Sequence, residues 1–126
     1  MAEAEKARAT AYAPYSKFSV GAALLTRSGR IVHGCNVENA SFGLSICAER
    51  NAVWKAVSEG ERDFVAVAVT AGPDGGASPC GACRQVMQEF APGIVVYWRD
   101  GGGRLTKSTI GELLSRPFVW PRKGKR

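Results

Sequence analysis

The sequence predicts an α/β fold, a three-layer α-β-α sandwich with helices on both faces of one mixed five-stranded sheet. Two observations carry that expectation. Helix-like and strand-like segments alternate in the order α, β, β, α, β, α, β, β, α, the pattern of a sheet covered on both sides. The 126 residues are 45% hydrophobic and 22% charged, ordinary for a globular domain and enough for one core but not two. The expected organisation is one domain over residues 1–121 and a basic, flexible tail over 122–126.

Each element has its own signal. Residues 3–11 are built from Ala, Glu, Lys and Arg and run toward Pro14, so they read as a helix. Phe18 to Leu25 alternates through Val20, Ala22 and Leu24 as a strand. Ser28-Gly29 turns the chain, and Ile31 to Asn36 returns as the second arm of a hairpin. Residues 37–46 lack periodicity and read as loop. Residues 47–59 are helical, with Gly60 as the stop. Ala48, Ala52, Val53, Trp54, Ala56 and Val57 spread over more than one face, which predicts a largely buried helix. Phe64 to Val69 is a continuous β-rich run, suited to a buried central strand. Gly72 to Pro79 is a Gly/Pro-rich loop, and helix resumes from about Gly81 to Phe90. Ile94 to Trp98 is a strand. Gly101-Gly102-Gly103 turns into a short strand near Leu105, and Ile110 to Leu114 closes with a short helix.

Charge narrows the function classes. Lys plus Arg number 17 against 11 acidic residues, a net +6, which invites a nucleic-acid reading. Arg122, Lys123, Lys125 and Arg126 supply four of those charges, so the remainder carries 13 − 11 = +2. With no basic cluster outside the tail, specific nucleic-acid binding is not expected. No apolar run approaches the ~20 residues of a membrane span. Met1 to Lys6 carries no apolar signal region. The expectation is a cytoplasmic protein without membrane partners.

The four cysteines, Cys35, Cys47, Cys80 and Cys83, set the chemistry. A disulfide scaffold suits a smaller, secreted chain. Cys35 follows a likely strand and reads as plain packing. Cys80 and Cys83 form a C-x-x-C behind Pro79, which alone fits either redox chemistry or metal. A third cysteine beside a carboxylate, Cys47-Ala48-Glu49, tips the balance toward zinc. Three thiolates leave one tetrahedral position open, as a catalytic zinc requires. Cys47 and Cys80 both fall where loops enter helices, whose N-termini favour thiolate. Glu49, two residues past Cys47, cannot point where Cys47 points, so it is placed beside the metal rather than on it. Arg50 can donate to thiolate sulfur and offset the −1 charge of three thiolates on Zn²⁺. His33, the single histidine, lies on a strand and outside the ligand positions.

Cys47-Ala48-Glu49-Arg50 and Pro79-Cys80-Gly81-Ala82-Cys83-Arg84-Gln85 together resemble the small homotetrameric zinc-dependent cytidine deaminases. Ala11 to Ala23, with Tyr15-Ser16-Lys17-Phe18 at its centre, resembles that family's opening segment. Gly34-Cys35-Asn36-Val37-Glu38-Asn39-Ala40-Ser41 resembles its ribose-binding segment. The resemblance spans most of residues 11 to about 90. It implies the cytidine-deaminase-like fold and one Zn²⁺ per subunit on Cys47, Cys80 and Cys83. It implies hydrolytic deamination of cytidine and 2′-deoxycytidine in pyrimidine salvage, with Glu49 shuttling the proton of a zinc-bound water.

The same resemblance assigns the pocket. Asn36 and Glu38 would bind ribose hydroxyls, and Phe18 would pack on the base. The Ala48 N–H would hold the pyrimidine O2, and the Ser78 carbonyl would accept from the 4-amino group. Ala40, Phe42 and Phe118 would reach a neighbouring subunit's pocket. Phe42 stands where the family commonly has Tyr, so it can pack but cannot hydrogen-bond through a hydroxyl. Leu113-Leu114-Ser115-Arg116-Pro117-Phe118 displaces the family's proline while keeping the aromatic. Three rivals accompany this reading. They are a closed four-cysteine module using Cys35, a nucleic-acid binder or polynucleotide deaminase, and a blasticidin deaminase with the same cysteine site.

Overall fold

A computed structural model describes residues 1–72 and 78–121. The expected tail at 122–126 and the middle of the 72–79 loop lie outside the described residues. The elements are α1 (Ala2–Arg8), β1 (Val20–Thr26), β2 (Ile31–Cys35), α2 (Ala48–Ser58), β3 (Phe64–Ala71), α3 (Gly81–Phe90), β4 (Val95–Arg99), β5 (Leu105–Thr109) and α4 (Ile110–Leu113). They form one mixed five-stranded sheet in the order β2-β1-β3-β4-β5. β1 is antiparallel to β2 and β3, β3 is parallel to β4, and β4 is antiparallel to β5. The single parallel pair needs a crossover, and α3 supplies it.

Register decides what faces what. Ala22 pairs with Gly34 and Val69, and Leu24 pairs with Val32 and Val67. Those residues point to one face, where Ala52, Val53, Ala56, Cys83 and Met87 meet them in the core. The other face carries α1. A Cβ on Gly21 would lie 2.2 Å from the Ala4 carbonyl oxygen, so the bare glycine sets how closely α1 approaches β1. Gly34 does the same on the α2 face, where a Cβ would lie 2.3 Å from the Ala48 carbonyl oxygen. Helices therefore cover both faces, as the alternation predicts.

Several expectations need correction. The first helix stops at Arg8 rather than residue 11. β1 starts at Val20, leaving Phe18 outside the strand. Lys17 causes this, because it takes a φ of +62° and turns the chain before Phe18. Residues 37–46 are more ordered than loop. Val37 bridges both Tyr12 and Ile46, and Phe42–Leu44 form a 3₁₀ turn. Trp54 is 49% exposed, because α2 buries a stripe through Ala48, Ala52, Val53 and Ala56, and Trp54 falls off it. β3 is central, as predicted, but Val65 is exposed and Ala66 and Ala68 are half-buried. The two-turn α1 covers only part of its face. Gly60 ends α2 with a φ of +94°, the left-handed stop the sequence announces.

The hairpin and the crossover converge on one edge. Val20 at the start of β1 pairs with Ala71 at the end of β3, and Gly21 pairs with Cys35 at the end of β2. The N-termini of α2 and α3 open at this same edge.

Candidate active site

Cys47 and Cys80 are the N-caps of α2 and α3, with extended dihedrals and no side-chain cap bond. Their sulfurs are thus free to leave the helix axis and meet. The sulfurs of Cys47, Cys80 and Cys83 all lie within 4.8 Å of one another, and Cys47 to Cys80 is 3.7 Å. That is too long for a disulfide, whose S–S bond is ~2.05 Å. A tetrahedral zinc with ~2.3 Å bonds sets its sulfurs ~3.8 Å apart, so the donor set fits this metal in type and spacing. Among the described residues this is the one group of three or more such ligands.

Protonation supports a cation here. The neighbouring Cys83 thiol, Arg50 and Cys80 donate to Cys47 and pull its pKa down to about 5. Cys83 goes the other way, because it gives its proton to the Cys47 thiolate and is buried. Three sulfurs this close cannot all ionise unless a cation takes up the charge. Part of that role falls to Arg50, whose Nη2 donates to Cys47 at 3.2 Å. Its Nε is buried without a hydrogen-bond partner. The thiolates hold its proton more firmly than usual. Arg50→Gln is expected to weaken zinc binding by about 10-fold to 100-fold, measured by competition with a chromogenic chelator.

Glu49 is 4% exposed. Burial pushes its carboxyl up to about 7, and the Cys47 thiolate adds to the rise. It lines the same cleft as Cys47 and Cys80, beside the cysteine sulfurs as the sequence places it. The carboxyl lies outside the ligand group.

The cleft holds about 420 Å³ and is lined by Phe18, Asn36, Glu38, Phe42, Ser78 and the residues just described, among others. Asn36 donates to the Phe18 carbonyl at 2.8 Å and accepts from the Val20 N–H at 2.8 Å. Its carboxamide therefore splints the entry to β1 and keeps one N–H and one lone pair for another partner. Glu38 accepts from the Tyr15 and Ser16 N–H groups at 3.0 and 3.1 Å, and from the Ser16 hydroxyl. These donors hold its carboxyl below the usual range, the Ser16 hydroxyl foremost. Phe42 packs edge-on against Tyr15, with ring centroids 6.1 Å apart. The Ala48 N–H, at the first position of α2, has no partner within the helix.

Two predicted residues, Phe118 and Ala40, stand elsewhere, and His33 lies outside the site as expected. Phe118 is 69% exposed, and Gln85 holds both its N–H and its carbonyl, at 3.2 and 2.8 Å. Ala40 is exposed in the loop before the 3₁₀ turn. His33 pairs with Glu3 at 2.7 Å on the α1 face, away from any ligand position.

The family model described as the cytidine and deoxycytidylate deaminase zinc-binding region matches residues 1–99. The chain belongs to this family. A cytidine deaminase of Sporosarcina psychrophila is 52% identical over 119 residues, covering 94% of this chain and 88% of that protein. One from Halalkalibacterium halodurans is 52% identical over 118 residues, covering 93% and 89%. The crystal structure of cytidine deaminase from Burkholderia pseudomallei superposes with a TM-score of 0.87 at 48% identity, covering 93% of this chain and 94% of that one.

The closed four-cysteine rival conflicts with the sheet. Cys35 pairs with Gly21 and shares its α1 face, and its sulfur sits 3.6 Å from the Thr10 carbonyl. The triad lies beyond the opposite face. Cys35→Ala should leave zinc content and turnover as they are, measured by metal analysis and assay. Loss of zinc in that variant would restore the rival.

Sequence reasoning missed two features of this deaminase site. Ser16 lines the cleft and bridges Glu38 to the Phe18 N–H, which its oxygen accepts at 3.1 Å. Arg84 donates to the Pro79 carbonyl at 2.7 Å and the Leu113 carbonyl at 2.9 Å, tying the residue before Cys80 to the end of α4. Both residues stood inside the quoted motifs, but neither residue type announces a role by itself.

Proposed function

We propose that the protein hydrolyses cytidine and 2′-deoxycytidine to uridine and 2′-deoxyuridine plus ammonia, with one zinc ion per chain. The observation that carries this reading is the buried Glu49 carboxyl beside three convergent cysteine sulfurs at the floor of a nucleoside-sized cleft. Cys47, Cys80 and Cys83 would hold the metal. Zinc in that position supplies Lewis-acid activation of a water, whose pKa falls from ~15.7 toward ~7.

The chain's own residues do the rest. Glu49 takes a proton from the attacking water and passes it to ring N3 as oxygen adds to C4. It then takes the proton of the new C4 hydroxyl and delivers it to the amino group, so that the C4–N bond breaks, ammonia leaves and the C4 carbonyl forms. Burial, which favours the protonated carboxyl, suits Glu49 to hold the proton between the two transfers. Phe18 packs on the base, and the Ala48 N–H holds the pyrimidine O2. The Ser78 carbonyl accepts from the 4-amino group. Asn36 and Glu38 take the sugar hydroxyls, Glu38 accepting from the 3′-hydroxyl. Such a carboxylate rejects an analogue that lacks its partner hydroxyl, which would leave it unpaired.

The proposal extends to a homotetramer in which Ala40, Phe42 and Phe118 reach neighbouring pockets. The exposure of Phe42 and Phe118 supports it, and sedimentation at the mass of one chain would remove it. It also extends to the cytoplasm, where four free thiols stay reduced. No helix among the described residues is long and apolar enough to cross a membrane.

The deciding assay follows the loss of cytidine absorbance with and without chelator. Turnover should vanish on chelation and return with zinc. Among cytidine, deoxycytidine, cytosine and CMP, the two nucleosides should be the good substrates. Equal activity on free cytosine would sink the roles given to Asn36 and Glu38.

A further inference from the structure

Glu38 reaches the cleft from the segment after β2 and meets the turn at Tyr15 and Ser16. Its two oxygens are not equivalent. Oε1 accepts from two backbone N–H groups, Tyr15 and Ser16. Oε2 accepts only from the Ser16 hydroxyl. A carboxylate offers about four acceptor positions, so three donors leave one for a further partner. The Ser16 oxygen is itself engaged, because the Phe18 N–H donates to it at 3.1 Å. Lys17 makes this possible. Its φ of +62°, the only positive φ outside glycine among the described residues, folds the chain so that residues 16 and 18 meet through one hydroxyl. Ser16, Phe18 and Glu38 all line the cleft.

We propose that Ser16 is a specificity-determining positioning residue, whose hydroxyl fixes the Glu38 carboxylate so that its one remaining acceptor position takes a single sugar hydroxyl, while tying that carboxylate to the backbone of Phe18. The sugar-binding carboxylate and the base-packing ring then form one unit, and recognition of the sugar is linked to placement of the base. This rests on the nucleoside reading given above, in which Glu38 accepts from the 3′-hydroxyl. Without the Ser16 hydroxyl, Oε2 loses its only protein donor and the carboxylate can turn about the bond that Oε1 holds. The Phe18 N–H loses its acceptor too, but that loss falls on every substrate with the same base. Only the loss at Glu38 separates substrates by their sugar.

The test compares cytidine with 3′-deoxycytidine on the zinc-loaded protein. Ser16→Thr and Ser16→Val have the same shape and differ in the hydroxyl. The ratio of kcat/KM for the two nucleosides should stay near wild type in Ser16→Thr. It should fall about tenfold in Ser16→Val, through KM for cytidine and not kcat. Glu38→Ala is the reference, and should abolish the ratio. If Glu38→Ala leaves the ratio intact, the sugar role of Glu38 fails and takes the Ser16 proposal with it. If Glu38→Ala abolishes it while Ser16→Thr and Ser16→Val behave alike, Ser16 alone is wrongly assigned. Equal weakening of both nucleosides in Ser16→Val likewise overturns the proposal, since Ser16 would then serve only Phe18.

Discussion

Glu49→Gln is expected to keep one zinc ion per chain and to lose about 10²-fold to 10⁴-fold in kcat. The amide has the shape of the carboxyl and fits the same 4%-exposed position, so packing at the start of α2 survives. The three sulfurs do not include Glu49 in their cluster, so metal content should survive as well. What disappears is a group able to hold a proton and release it. Retention of more than a few per cent of wild-type kcat, with zinc content confirmed by metal analysis, would refute the shuttle. A second readout has the opposite sign. Burial raises this carboxyl from 4.5 to about 7, so the unfolded chain gives up the proton first as pH rises. A raised carboxyl therefore lowers stability between those two values, and the penalty is complete above the higher one. Removing it should stabilise the metal-stripped protein at pH 8 by on the order of 2–3 kcal/mol and leave it little changed at pH 4. Chemical denaturation at the two pH values measures this. A variant that is inactive and less stable at pH 8 would point to a structural role.

Much of this site was legible because its chemistry depends on residue types with few other uses. Three cysteines and a carboxylate at helix starts define a metal site before any coordinates exist, and the structure places those sulfurs together. The sheet was legible for a similar reason. Alternating helix and strand signals allow few arrangements, and the β-rich run from Phe64 does lie at the centre. The part that stayed hidden depends on positions fixed by other parts of the chain. Trp54 belongs to an apolar helix, yet its exposure depends on where β1 and β2 lie beneath that helix. Ser16 shows nothing in sequence, since a serine in a turn is ordinary until a carboxylate 22 residues later accepts from it. The left-handed Lys17 is equally silent, being neither glycine nor asparagine.

Gly34→Ala should be among the most damaging single-methyl changes at the described residues, costing ~3 kcal/mol or more, at or above the upper end of ordinary overpacking. The added Cβ would meet the Ala48 carbonyl oxygen at 2.3 Å and the Ala52 nitrogen at 2.5 Å. Both are backbone atoms, so no side chain can swing aside and α2 itself must move off β2. Glu49 and Arg50 lie in the first turn of α2 behind its cap Cys47, while Cys83 lies in α3 behind its cap Cys80. Displacing one helix therefore pulls one sulfur and the proton carrier away from two sulfurs that stay. Zinc affinity and turnover should fall along with stability. Gly21→Ala is the control, because its Cβ would meet the Ala4 carbonyl oxygen at 2.2 Å and the Arg8 nitrogen at 2.4 Å. That clash is just as severe, but the helix that must move is α1, which carries none of the zinc ligands or Glu49. Gly21→Ala should thus lose stability by a similar amount and retain zinc affinity per folded chain. Thermal denaturation combined with chelator competition separates the two. If both variants lost zinc equally, placement of the metal would depend on overall stability and not on the contact between β2 and the start of α2.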